Sequence, residues 1–63
     1  VSAAKRDMAK RALRHLKEAK ENSKEAQKIF RVIGDSDGEK FAGDAAKHAQ
    51  DGEEHVTKKL GSD

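Results

Sequence analysis

The chain contains no cysteine, no proline, no tryptophan and no tyrosine. Without cysteine, neither a disulfide nor a thiolate metal site can help hold it together. Two phenylalanines are its only aromatic residues, which argues against a stacking platform for single-stranded nucleic acid. No apolar run approaches the roughly 18 residues of a membrane span, and none has the form of a signal peptide. An initiating methionine is also lacking. The small-residue start Val1-Ser2-Ala3-Ala4 suits the new end left by a signal peptidase, so a processed, periplasmic or secreted product is expected. The absence of cysteine fits a cytoplasmic location equally well.

Sixty-three residues make at most one small domain, residues 1–63, and a chain of this size buries only about 60% of its unfolded surface. That is too little for the closed, water-excluding pocket of an ordinary enzyme. Of the 33% hydrophobic residues, ten are alanine, so the larger apolar side chains form a thin core. Long helices, self-association or a ligand must supply the rest.

With proline absent, Gly34-Asp35-Ser36-Asp37-Gly38 is the one strong breaker cluster. Before it, Ala9, Ala12, Leu16, Ala19, Ser23, Ala26, Phe30 and Ile33 recur at alternating spacings of three and four, a heptad seam. Ser2 is a suitable N-cap and Gly34 a suitable residue to follow the helix end, predicting a first helix over about 2–33. Beyond the turn at 34–38, Ala42, Ala45, Ala49, Gly52 and Val56 continue the seam, flanked by Phe41, Ala46 and Leu60. The second helix is predicted over about 38–60, capped by Asp37, with Gly61-Ser62-Asp63 frayed.

The fold class is therefore all-α: an antiparallel two-helix hairpin in which opposed residue numbers sum to about 74. That register leaves Met8, Ala9, Ala12 and Leu13 overhanging and uncovered. A homodimeric four-helix bundle is expected to cover them. The charge distribution agrees. Residues 1–20 hold seven basic and two acidic side chains, residues 34–54 seven acidic and two basic, a polarity suited to head-to-tail pairing. Lys10, Lys17, Lys24 and Arg31 recur every seven residues on the outer face of helix 1, but Glu18, Glu21 and Glu25 interrupt them. This is the pattern of a solvated helix face with internal ion pairs rather than a nucleic-acid or membrane surface.

The three histidines, His15, His48 and His55, carry the functional reading. With Ala9 and Ala42 as heptad position a, all three fall at g and border the seam, which makes a His15/His55 pair across the hairpin sterically feasible. Imidazole is a good ligand for copper, nickel and zinc. His48 and His55 are about 10.5 Å apart along the helix axis, too far to share one ion comfortably. Asp51 lies one turn from both, and Asp44 lies four residues before His48. Mixed two-ligand sites completed by water would be exchangeable rather than structural. An offset of 33 also lays residues 12–19, A-L-R-H-L-K-E-A, over residues 45–52, A-A-K-H-A-Q-D-G, matching His15 with His48 and placing Asn22 where His55 stands.

The stretch Lys47-His48-Ala49-Gln50-Asp51-Gly52-Glu53-Glu54-His55-Val56 resembles the histidine repeat of the small periplasmic metal-binding protein family, and residues 12–19 resemble another of its repeat units. The resemblance covers about 25 residues. It implies a small, cysteine-free helical bundle that binds copper and other divalent ions reversibly, with His48, His55 and His15 as repeat histidines. The chain departs from the pattern in having only three histidines. A structural or protein-interaction bundle with incidental histidines is the competing reading, and weak nucleic-acid binding a more distant one.

Other motifs fail on counting. Asp35-Ser36-Asp37-Gly38 opens like a calcium loop, but Lys40 stands where that loop needs glycine and Ala46 where it needs the bidentate glutamate. Ser2, Ser23, Ser36, Ser62 and Thr57 have no nucleophile context, and no phosphate-binding glycine motif is present.

Overall fold

The computed structural model of the chain describes residues 2–61, which form two helices: α1, Ala3–Val32, and α2, Ser36–Gly61. Val1, Ser62 and Asp63, including most of the expected frayed end, lie outside the described residues. The helices pack as a hairpin 47 Å long, 15 Å wide and 11 Å thick.

Both ends of α1 are closed by the residues that the sequence offers. Ser2 is extended (φ −66°, ψ 159°), and its side chain accepts a hydrogen bond from the Lys5 amide at 3.2 Å. At the other end Gly34 takes φ +78°, a conformation that costs glycine little. The Gly34 amide then donates to the Arg31 carbonyl and the Asp35 amide to the Phe30 carbonyl, at 3.2 and 2.9 Å. These two bonds are the Schellman closure.

The second helix starts earlier than expected. Asp35, rather than Asp37, is its cap, accepting from the Gly38 amide through Oδ1 at 2.9 Å. Ser36 and Asp37 already belong to the first turn, because the Schellman closure needs only Ile33, Gly34 and Asp35 to reverse the chain. Asp37 and Glu39 sit in that first turn, and Lys58 and Lys59 in the last, each complementing the helix dipole. Arg31 Nε donates to Glu39 Oε1 at 2.8 Å across the bend.

This shorter turn shifts the register. Phe30 packs on Gly38, Gln27 on Gly43 and Leu16 on Gly52, so opposed numbers sum to about 68–70 instead of 74. The seam also differs in phase. In α1 the partly covered residues are Arg6, Ala9, Leu13, Leu16, Lys20, Ser23, Ala26, Gln27 and Phe30, while Ala12, Ala19 and Ile33 are exposed. In α2, Ala46 and Glu53 turn inward with Ala42 and Ala49, while Ala45 is exposed. Heptad positions a and e thus face the partner helix, where a and d were expected. The core is correspondingly slight. Ala42, Ala46 and Ala49, at 7–9% exposure, are the buried hydrophobic residues among those described, joined by Glu53 at 8%.

Side chains of α1 pack on glycines of α2, which tolerate an added Cβ unequally. A Cβ on Gly38 would collide with the Phe30 ring, whereas one on Gly43 would meet only the flexible end of Gln27. Gly38→Ala is expected to destabilise the hairpin by about 1 kcal/mol or more. Gly43→Ala should stabilise it by about 0.5–1 kcal/mol through helix propensity. Urea denaturation followed by circular dichroism measures both, and equal effects of one sign would refute the assigned packing.

Candidate functional site

The two broad faces of the hairpin have opposite characters. On one, the e and b edges of the helices meet through polar side chains. Lys20 Nζ donates to Gln50 Oε1 at 2.8 Å and lies 3.0 Å from Glu53 Oε2. Gln50 in turn donates to Glu54 Oε1 at 3.2 Å. Lys20 and Glu53 retain only 20% and 10% of their side-chain exposure. The aligned bond from Lys20 goes to Gln50, leaving Glu53 Oε2 buried with a cation beside it but no hydrogen bond. The hydrophobic pattern did not foretell this pair, because Lys20 and Glu53 stand at e, outside the a/d seam that the pattern predicts. The signal lay in the opposite charges of Lys20 and Glu53 at matching e positions.

An open groove of about 410 Å³ on this face is lined by Lys17, Gln50, Glu53, Glu54, Thr57 and Lys58. Its two lysines and two carboxylates oppose one another, and no histidine lines it.

The d and g positions share the opposite face, because antiparallel helices whose b and e edges meet on one side must present their d and g edges on the other. The g positions of α1 are Met8, His15, Asn22 and Ile29, and its d positions Ala12, Ala19, Ala26 and Ile33. In α2 the g positions are Phe41, His48 and His55, and the d positions Gly38, Ala45, Gly52 and Lys59, of which Gly38 and Gly52 are packed by Phe30 and Leu16. All three histidines therefore share one face, and all are exposed. So are Met8, Ile29, Ile33 and Phe41, at 60–74%.

The register sets His15 level with His55 and Asn22 level with His48. At 100° per residue, g positions lie about 130° from the line joining the helices, so the level pairs occupy opposite edges of the face. His15 Nδ1 is 3.7 Å from Glu18 Oε2. His48 lies four residues after Asp44, and His55 four after Asp51, a spacing that puts each pair on neighbouring turns of one helix edge. Among the described residues no group of three or more histidine, aspartate or glutamate side chains is close enough to hold a metal ion. Within those residues, no helix is long and apolar enough to cross a membrane.

No protein-family model, curated protein or solved structure matches the chain. The resemblance to the histidine repeats rests on residues 12–19 and 45–56 alone.

The buried ion pair generates its own test. Glu53→Ala leaves the Lys20 ammonium half-enclosed without its counter-charge and is expected to cost about 1–3 kcal/mol. Replacing both partners, Lys20→Met with Glu53→Leu, should recover most of that loss, because two desolvated charges leave the interface together. A double-mutant cycle in urea reads the coupling, and simple additivity would show that the pair is not coupled.

Proposed function

We propose that the chain is a non-enzymatic helical module that binds divalent transition-metal ions reversibly through His15, His48 and His55. The observation that carries this reading is the exposure of all three histidines, with Asp44/His48 and Asp51/His55 at helical i,i+4 spacing along the outer edge of α2. Each such pair supplies one imidazole and one carboxylate, leaving the other coordination positions to water. Copper, nickel and zinc are the ions such a donor set accepts, with copper bound most tightly. Asp51 lies three residues after His48 and four before His55, so it can serve either. The resemblance to the periplasmic metal-binding repeats supports the same chemistry and, with it, an exported location.

Two-ligand sites exchange quickly and bind weakly, which suits buffering or carriage of an ion rather than structural cross-linking. A second reading, an assembly module with incidental histidines, is favoured by the large apolar side chains exposed on the same face.

Copper titration followed by the visible absorption of the bound ion separates the readings. The wild type is expected to take up copper at micromolar concentration, and the triple variant His15→Ala, His48→Ala, His55→Ala to lose that uptake. Uptake should fall from pH 7.5 to pH 5, since protons compete for imidazole nitrogens that in water titrate near 6.5. Equal uptake by both proteins, or uptake as strong at pH 5 as at 7.5, would sink the histidine assignment. The latter result would point to carboxylates such as Asp35, Asp37 and Glu39.

A further inference from the structure

The open face has a regular relief. In α1 its g positions carry the larger side chains, Met8, His15, Asn22 and Ile29, and its d positions the small ones, apart from Ile33. Between Met8 and Ile33 this surface is about 38 Å long and some 15 Å across. Its flat outline is somewhat under 600 Å² before side-chain relief, just below the roughly 600–1,000 Å² that each partner contributes to a stable protein interface.

Two ways of laying one copy on another can be compared. If the copies point the same way, α1 of one covers α2 of the other at the same level. The register then sets His15 against His55, Asn22 against His48 and Ile29 against Phe41, large side chain against large. If the copies point in opposite directions, α1 covers α1, and full overlap of the stripe sets each g residue of one copy against a d residue of the other. Met8 then faces Ile33 of the second copy, His15 faces Ala26, Asn22 faces Ala19, and Ile29 faces Ala12. In α2 the same operation sets His55 against Ala45, His48 near Gly52, on which Leu16 already packs, and Phe41 against Lys59. In α1 three of the four g residues thus meet alanines, and the fourth, Met8, meets another apolar side chain.

Charge selects the same orientation. The open end of the hairpin, residues 2–14 and 56–61, carries seven basic side chains and one acidic, whereas the turn end, residues 31–44, carries four acidic and two basic. Opposite pointing brings each basic end over an acidic one, while parallel pointing stacks like on like.

We infer that a second copy of this chain covers the d/g face, packed in the opposite direction about a two-fold axis, so that two hairpins make a four-helix bundle. The inference is independent of the metal reading: it rests on size and charge complementarity and does not require an ion.

Sedimentation equilibrium of the metal-free chain tests it. The wild type should sediment at twice its 6.9 kDa at high micromolar concentration. Ala19→Glu, which projects from the centre of the face and leaves the a/e seam untouched, should sediment as a monomer with its helical circular dichroism retained. Glu21→Ala, on the outer side of α1, should remain dimeric. If Ala19→Glu loses its helical signal, Ala45→Glu on the other helix answers the same question. A wild-type monomer up to millimolar concentration, or a dimer that both glutamate variants leave intact, would overturn the inference. Because the chain has no native cysteine, orientation can be read separately. Oxidising a mixture of Met8→Cys and Ile33→Cys chains should give mainly the mixed disulfide, and a predominance of Ile33→Cys homodisulfide would overturn the opposed orientation.

Discussion

The interhelical seam is built of alanine and glycine, and most other features follow from that choice. At Gly38, Gly43 and Gly52 the missing Cβ makes room for the Phe30, Gln27 and Leu16 side chains of α1. Small side chains also mean that little apolar area leaves water, because alanine has little to bury. In a single layer of two helices every residue also has solvent on at least two sides. Ala42, Ala46 and Ala49 reach burial, while Leu13, Leu16, Val56 and Leu60 are only partly covered. The larger side chains that would fill a conventional core are displaced to the edges. Phe41, Ile29 and Ile33 remain 60–74% exposed.

How much of this was legible in the residues depends on the kind of signal. The two helices, the N-cap at Ser2 and the reversal at Gly34 follow from local chemistry that acts within a few residues, and they stand as read. The seam phase was legible only in part. Residues Ala9, Leu16, Ser23 and Phe30 face the partner, but the small residues between them, Ala12 and Ala19, belong to a second stripe that overlaps the first. A helix carrying two adjacent apolar stripes has no unique inward face on periodicity alone. Pairing of Lys20 with Glu53 and of Arg31 with Glu39 accompanies the phase that the structure adopts, and such pairs join residues remote in sequence. The register was off by one turn of helix because the turn was drawn two residues too long, with the cap placed at Asp37 rather than Asp35.

The histidines illustrate a similar division. They were expected to border the seam, but with positions a and e turned inward the g positions point away from it, and all three histidines are exposed. The corrected register raises His15 and His55 to the same level, yet g positions diverge across a hairpin, which no count along one helix reveals. The within-helix pairs with Asp44 and Asp51 need only the helical repeat and were readable from spacing. The metal chemistry and the apolar relief therefore occupy the same surface for different reasons. Imidazoles stand at its edges, where water still reaches them, and the small residues lie nearer its midline.

The brevity of the bend at Ile33-Gly34-Asp35 also orders events in time. Arg31 and Glu39 are eight residues apart, so joining them closes a very short loop, whereas Leu16 and Gly52 are separated by thirty-six. The entropy of closure rises with loop length, and each pair formed near the bend shortens the loop that the next must close. The two arms can therefore zip outward from residues 33–35, turn by turn, without a distant encounter. Chains whose contacts are reached this way fold in microseconds to milliseconds. Such speed leaves an alanine-rich, weakly buried pair of helices little time as separate, sticky segments.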